Sequence, residues 1–399
     1  MELYNGQPYW QTTVKTLRLP RQTAATHYDA LIVGTGMSGS LCALTLANAG
    51  LHLAMIDERQ VGAGSTSANT GLLQYSNDMM LSKLMSQIGE KAAVRFYRLC
   101  LEAVNELEQV AHSLATPSDF IRRDSLYYAS TLLHIPRLKK EFNVLKTHGF
   151  PVRYLNQAQI ESEYGFSKHG AIVTAGDAEV NPLKFSRSII RTLLEQQRTD
   201  IFERTALLEV QDRGNTLVAQ TSAGEIRASA IILATGYEKT PLLRKKRAAI
   251  NRSYAIATKP IEQLSRYWKE RALIWETRRP YLYLRTTVDN RIIAGGFDQE
   301  KSEAPAADEI SKQASRLKKE LDTLFPMLPI EIDYAWGALF GESTDNLPYI
   351  GRHPRQKNIY YLLGYGGNGT VYSMLGSLIL RDLLTKGYSS NADLVRLDR

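Results

Sequence analysis

The chain has 399 residues, 44% hydrophobic and 23% charged, with 49 basic against 41 acidic side chains and a formal net charge of +8. That profile describes a folded globular protein large enough for two domains or one elaborate one, with a basic balance that favours anionic ligands without naming one. Two cysteines exclude a disulfide framework, no Cys/His cluster has metal spacing, and neither a run of about eighteen apolar residues nor a leader-like start is present, so a cytoplasmic protein, or one touching a membrane only by its surface, is expected.

The first strong signal starts at Tyr28. An apolar run, Ala30-Leu31-Ile32-Val33, opens into Gly34-Thr35-Gly36-Met37-Ser38-Gly39, and a short helix-like segment and a second apolar run ending at Asp57 follow. Each glycine has its own role: Gly34 permits a sharp turn, Gly36 a close approach of backbone to pyrophosphate, and Gly39 tight packing of helix on strand. The helix N-terminus faces the anion, and Asp57, about 20 residues on, stands where an acid accepts from ribose hydroxyls. The spacing therefore predicts a dinucleotide-binding unit, with a merely structural turn as the alternative.

Residues 58–71, ERQVGAGSTSANTG, read as a loop rich in small donors. Residues 90–114 form a helix with Phe96, Leu99, Ala103, Leu107 and Val110 on its core stripe. Cys42 and Cys100 are both expected to pack in helices. Residues 120–129 read as a strand, 136–148 as a helix, 170–181 as a strand running into Asp177-Ala178-Glu179-Val180-Asn181-Pro182, and 182–196 as a helix opened by Pro182. A three-strand meander over 206–210, 217–221 and 225–228 ends in a separate buried strand, Ile231-Ile232-Leu233-Ala234-Thr235-Gly236, whose small-residue corner allows a second close backbone approach. The basic run Arg244-Lys245-Lys246-Arg247 reads as a solvated loop, with contact to anionic lipid or nucleic-acid phosphate as the alternative. No aromatic-interleaved RNA motif accompanies it, and no nucleic-acid partner is expected.

Residues 254–334 suggest an antiparallel sheet carrying a helix over 306–325, with strand-like stretches at 272–275, 281–285 and 291–295. The C-terminal part returns to glycine: Ile359-Tyr360-Tyr361-Leu362-Leu363 feeds Gly364-Tyr365-Gly366-Gly367-Asn368-Gly369, and a helix over 370–386 follows.

The GTGMSG turn with Asp57, the GAGSTSANTG loop, the Asp177–Pro182 segment, the Ile231–Gly236 corner, Asp345-Asn346-Leu347-Pro348-Tyr349-Ile350-Gly351 and the GYGGNG turn together resemble the FAD-dependent amine and amino-acid oxidoreductase superfamily, which contains D-amino-acid oxidase, glycine oxidase, sarcosine oxidase and gamma-glutamylputrescine oxidase. Pro8-Tyr9-Trp10 looks like the N-terminal extension of the last of these. The resemblance covers nearly the whole chain and implies an α/β plus α+β fold. A Rossmann-type FAD-binding domain (residues 1–80, 165–245 and 335–399) is interleaved with an antiparallel-sheet substrate domain (81–164 and 246–334).

It implies non-covalent FAD, since no Cys lies in the 340–345 loop, as in sarcosine-oxidase-type attachment. Gly34, Gly36, Met37, Ser38 and Gly39 would cradle the pyrophosphate, and Asp57, with Glu58 and Arg59, would border the ribose. Gly64, Ser65, Thr66, Asn69, Thr70 and Leu72 would serve phosphate and ribityl oxygens, and Leu207 the adenine edge. Thr235, Gly236 and Tyr237 would form the second approach. Gly366, Gly367, Asn368, Gly369 and Thr370 would aim a positive helix end at the flavin pyrimidine. The implied chemistry is oxidation of a C–N bond of a small amine or amino acid by hydride transfer, with oxygen or another group as electron acceptor. The alternatives are a flavin-dependent 2-hydroxy-acid or glycerol-phosphate dehydrogenase, and a tRNA-modifying flavoprotein.

The sequence also departs from the family. Amino-acid oxidases place a carboxylate-binding Arg four positions after a Trp, where this chain has Phe340 after Trp336, and an Arg in the last glycine turn, where it has Gly367. The oxygen-activating Lys of sarcosine oxidase aligns roughly with Ile292. Arg285 is then the best candidate for an anionic substrate group. Tyr281, Tyr283 and Arg285 share one face at a spacing of two and form either a pocket wall or a solvent-facing surface. Gln74 and Tyr75 are expected at the flavin edge and Tyr365 at the substrate cavity.

Overall fold

A continuous apolar run can sit in a strand only if both its faces are covered, and Ala30 to Val33 of the strand Tyr28–Val33 meet that condition, Asp29 being the exposed exception. Ala30 and Ile32 join a core built with helices Met37–Asn48, Glu90–Ser113, Pro182–Gln196 and Gly369–Thr385, while Leu31 and Val33 join a second core on the opposite face. Leu53–Ile56 divides in the same way. The computed structural model describes residues 2–76, 78–237, 248–364 and 366–399. The basic run Arg244–Arg247 and the candidate Tyr365 lie outside them.

Among the described residues two sheets carry the fold. The smaller runs Tyr349–Arg352, Ile359–Leu363, Gly224–Leu233, Tyr28–Val33, Leu53–Ile56, Thr199–Phe202, parallel except at the Tyr349–Arg352 edge. The expected third meander strand and the buried strand after it are a single element, Gly224–Leu233. Its first half pairs antiparallel with Leu217–Thr221, and its second half lies between Tyr28–Val33 and Ile359–Leu363.

The ten-stranded sheet runs Tyr4–Gly6, Ile332–Ser343, Ala248–Thr258, Ile292–Gln299, Leu282–Thr286, Leu273–Glu276, Ile121–Tyr128, Gly170–Glu179, Leu72–Leu73, with Val152–Asn156 also on Gly170–Glu179. It is antiparallel except where Leu273–Glu276 meets Ile121–Tyr128 in parallel. The boundaries expected from sequence do not follow the sheets: Tyr4–Gly6, Leu72–Leu73, Gly170–Glu179 and Ile332–Ser343 all hydrogen-bond within the larger one. Helix Ala307–Leu324 covers one face, packing on Leu282, Leu284, Ile292 and Ala294. The opposite face turns toward the parallel-sheet unit. Cys42 and Cys100 are buried in helices, as expected.

The glycine turn is as tight as its sequence demands. A Cβ on Gly39 would lie 1.8 Å from the Gly34 carbonyl oxygen, and one on Gly34, at φ +113°, would lie 2.4 Å from the Ala234 oxygen. No rotamer relieves a clash with backbone, so helix and strand would have to separate. Gly39→Ala is expected to lower the melting temperature and the FAD content of purified protein together, read by thermal denaturation and by the flavin-to-protein absorbance ratio.

Candidate active site

Helix Met37–Asn48 begins at Gly36 with no side-chain cap, so its first-turn amides have no carbonyl before them. The Met37 amide donates to Thr66 Oγ1 at 2.9 Å, leaving Ser38 and Gly39 at the open end. Gly36, extended, has only Thr66 Oγ1 within reach of an added Cβ, at 3.1 Å. This is a cradle open to a phosphate. Asp57 ends Leu53–Ile56 beside it; its Oδ2 accepts from the Thr35 amide (2.7 Å) and hydroxyl (2.9 Å), and Oδ1 from the Arg59 amide (2.8 Å). Oδ2 has its two lone pairs engaged, and Oδ1, with one donor, keeps acceptor capacity for a ribose hydroxyl.

Glu58 and Arg59 pair with each other at 3.2 Å beside Asp57. Leu207 starts a strand two residues after Thr205, whose amide donates to the Asp57 carbonyl at 2.7 Å. Thr235 and Gly236 follow Ala234, the residue that touches Gly34, and Tyr237 lines the neighbouring cavity. Gly64 caps the single turn Ser65–Ser67. Helix Gly369–Thr385 brings its own N-terminus alongside, with Ser38 Oγ 2.7 Å from Ser373 Oγ. Asn368 Nδ2 donates to the Ser76 carbonyl at 3.2 Å, and Thr370 is buried in the first turn. Two helix N-termini thus converge, and the donor set fits a dinucleotide.

From this cradle a cavity of about 150 Å³ extends to the ten-stranded sheet. Its walls include Ser65, Asn69, Thr70, Leu72 and Gln74 from the loop side, Gly366, Gly367, Asn368 and Gly369 from the second turn, and Tyr237. The sheet contributes Ser253, Trp275, Tyr281, Tyr283, Asp298, Ala338, Leu339 and Phe340, and Asp78 completes the wall. The structure places Tyr283, Gln74 and Phe340 in one cavity wall. Trp275, Ser253, Asp78 and Asp298 are additions that sequence reading missed. Tyr283 lies over Gly295 on the paired strand, where a Cβ would meet the tyrosine ring at 2.3 Å. Ile292 packs in the helix-covered core instead, with Leu317 and Leu321.

Arg285 is not in that cavity wall. It is 1% exposed, and its Nη1 donates to the carbonyls of Thr70 (3.4 Å), Gly71 (2.9 Å) and Val180 (2.7 Å), its Nε to Thr286 O (2.9 Å). Glu179, fully buried, lies 3.6 Å from Nε and also pairs with Arg123 at 3.0 Å, while the Trp10 ring lies 5.3 Å from the guanidinium carbon. The expectation of a substrate-binding arginine therefore meets a buried side chain whose Nη1 and Nε are held by backbone carbonyls. The shared face was read correctly, but the loop 68–71 covers its far end.

Behind Gln74 lies a buried carboxyl. Gln74 Nε2 donates to Ser125 Oγ at 3.0 Å, and Asp177 accepts from the Tyr75 amide (2.9 Å), from Thr174 Oγ1 (2.9 Å) and from Ser125. Burial pushes Asp177 from its ordinary 3.8 up to about 7, against the pull of these donors. A raised acid destabilises the fold as pH climbs from the unfolded value through the folded one, because only the unfolded chain ionises freely there. Asp177→Asn is therefore expected to melt progressively higher than the parent as pH rises from about 4 to about 7, by thermal denaturation across that range. Arg285→Met removes the donor to four carbonyls and one of the two arginines beside Glu179, and is expected to cost about 3–5 kcal/mol, measured by denaturant unfolding, with loss of FAD.

The sequence profile of the family described as "DAO: FAD dependent oxidoreductase" matches residues 29–383. Among curated relatives, a probable oxidoreductase OrdL of Haemophilus influenzae is 20% identical, over 94% of this chain and 87% of its own, and the gamma-glutamylputrescine oxidoreductase of Escherichia coli K12 is 23% identical, over 89% and 83%. The crystal structure of glycine oxidase from Geobacillus kaustophilus superposes with a TM-score of 0.78 at 18% identity, covering 91% of this chain and 96% of that one. The cradle, the Asp57 acceptor and this match agree: the chain belongs to the DAO family of FAD-dependent oxidoreductases.

Proposed function

We propose that this flavoprotein oxidises a C–N bond of a small amine, or of an amino acid held without the usual arginine clamp. The observation that carries this reading is the make-up of the cavity wall: aromatic rings, amide and hydroxyl groups and two carboxylates, with no Lys, Arg or His among its described lining residues. A 2-hydroxy acid or a glycerol phosphate needs a cation for its anionic group, and Arg285, beside the cavity tyrosines in sequence, is held by backbone carbonyls. The names of the relatives, glycine oxidase and gamma-glutamylputrescine oxidoreductase, support the bond type.

FAD, once bound, supplies a hydride acceptor that leaves the oxidised carbon as an imine for water to hydrolyse. The protein's own task is placement. Gln74, held by Ser125, and Tyr283, held over Gly295, give the cavity fixed walls. Phe340, Leu339 and Leu72 supply apolar surface that excludes water and favours the neutral form of the reacting amine. The two helix ends present positive dipole where negative charge would accumulate.

An anaerobic panel of amines, amino acids, 2-hydroxy acids and glycerol phosphate tests this reading through bleaching of the oxidised flavin band. Amines are expected to bleach it and hydroxy compounds to leave it yellow. Bleaching by the hydroxy compounds with every amine inert would replace this function with alcohol oxidation.

A further inference from the structure

Strand Ile292–Gln299 carries a bulge that decides what one end of the cavity contains. Arg252 pairs with Gln299 and Tyr254 with Gly296, so Phe297 and Asp298 together oppose Ser253 alone. Strict alternation from Ile293 and Gly295 would turn residue 297 to the cavity face and residue 298 away from it. The extra residue reverses this. Phe297, at φ +58°, packs instead with the helix-covered core, where the Arg316 guanidinium carbon lies 4.2 Å from its ring centre, and Asp298 enters the cavity wall. A bulky residue at positive φ is costly, so the arrangement is held by its surroundings.

Asp298 arrives among rings. Trp275 and Tyr281 meet edge to face at 6.3 Å, and Tyr281 and Tyr283 tilt together at 5.8 Å. Asp298 Oδ1 is shielded from water and has no hydrogen-bond partner among the described residues. Burial, with Asp78 and Glu342 adding to it and the Ser253 side chain and Arg279 opposing it, pushes this carboxyl up to about 6. The Ser253 hydroxyl is itself buried without a partner in hydrogen-bond geometry among the described residues. Asp78 Oδ1 accepts from the Tyr281 hydroxyl at 2.9 Å and its Oδ2 from the Gly367 amide at 3.1 Å. Arg279 is exposed; it stacks over Tyr281 at 4.5 Å, donates to the Asp78 carbonyl and does not line the cavity.

A shielded carboxylate oxygen with no donor in hydrogen-bond geometry among the described residues, in a wall that also carries aromatic rings, matches a ligand ammonium, which brings both hydrogen-bond donors and charge. It does not match the nitrogen that reacts. A carboxylate beside that nitrogen would hold it protonated, whereas loss of hydride from its carbon requires the neutral amine. The acid must therefore serve a different nitrogen.

We propose that the substrate carries two basic nitrogens, as in a diamine or short polyamine, and that its distal ammonium is bound by Asp298 against Trp275, Tyr281 and Tyr283. The assignment rests on the C–N oxidation reading above and narrows it: a free α-carboxylate would meet two carboxylates and no described cation in this wall.

The test uses the FAD-loaded enzyme under anaerobic conditions with three probes of one chain length: 1,4-diaminobutane, 1-aminobutane and 4-aminobutanoate. Apparent Kd comes from the concentration dependence of flavin reduction or, for a probe that does not reduce it, from the spectral shift of the oxidised flavin. The diamine is expected to bind ~10- to 100-fold more tightly than the monoamine, the range of one charge-assisted hydrogen bond, with the amino acid weakest. Asp298→Asn, with FAD content and melting checked, is expected to lower the diamine-to-monoamine ratio about tenfold or more, and Asp298→Glu to retain most of it. Equal affinity for diamine and monoamine in the parent overturns the proposal, as does an unchanged ratio in D298N. Bleaching by amines without charge preference removes this proposal and leaves C–N oxidation standing. A charge-selective, Asp298-dependent spectral shift without bleaching by any amine supports the ammonium subsite and removes C–N oxidation.

Discussion

The loop at residues 68–71 is held by carbonyls that accept from three large buried side chains, and the rest of the site depends on that arrangement. Trp336 donates to Ala68 O at 2.9 Å, Trp10 to Asn69 O at 2.5 Å, and Arg285 to Thr70 O and Gly71 O. These donors come from the N-terminal segment and from two strands of the ten-stranded sheet, while the loop follows the parallel unit. The two halves of the fold are thereby fastened at the place where a cofactor and a substrate must meet. Buried carbonyls and a buried guanidinium each carry a large desolvation penalty alone, and here each relieves the other, with Glu179 and Arg123 balancing the charge.

With the carbonyls bound from behind, Ser65, Asn69 and Thr70 remain in the cavity wall. The same fastening explains why a basic chain presents an acidic pocket. Arg285, on the strand of the cavity tyrosines, is committed to structure, and the groups left facing the space are rings, amides and carboxylates. Net charge, a property of the surface, gave no guide to the interior.

What could be read from sequence follows the range of the interactions involved. Gly39 and Asp57 were legible because their contacts, with Gly34, Thr35 and Arg59, are fixed within one strand-turn-helix unit, where spacing is nearly geometry. The face shared by Tyr281, Tyr283 and Arg285 was legible from period two, yet the covering of Arg285 was not, since it depends on Trp10 and Val180, distant in the chain. Asp298 was hidden by the bulge, which breaks the alternation that sequence reading relies on. The pair Gly295-Gly296 before Phe297 was the available signal, because paired glycines inside a strand mark irregular pairing. Asp78 gave no local signal at all, as both its partners lie about 200 residues or more away. The extent of Gly224–Leu233 was misjudged because alternation in its first half gives way to a continuous apolar run in its second, and one strand that changes neighbours looks like two.

Gly367 and Asp78 share one point in space. A Cβ at position 367 would sit 2.5 Å from Asp78 Oδ2, the far end of a side chain, so growth there displaces the carboxylate and not the backbone. The electrical sign of this end of the chamber is therefore coupled across two positions: bulk at 367 draws the acid at 78 off the Tyr281 hydroxyl and the Gly367 amide it accepts from.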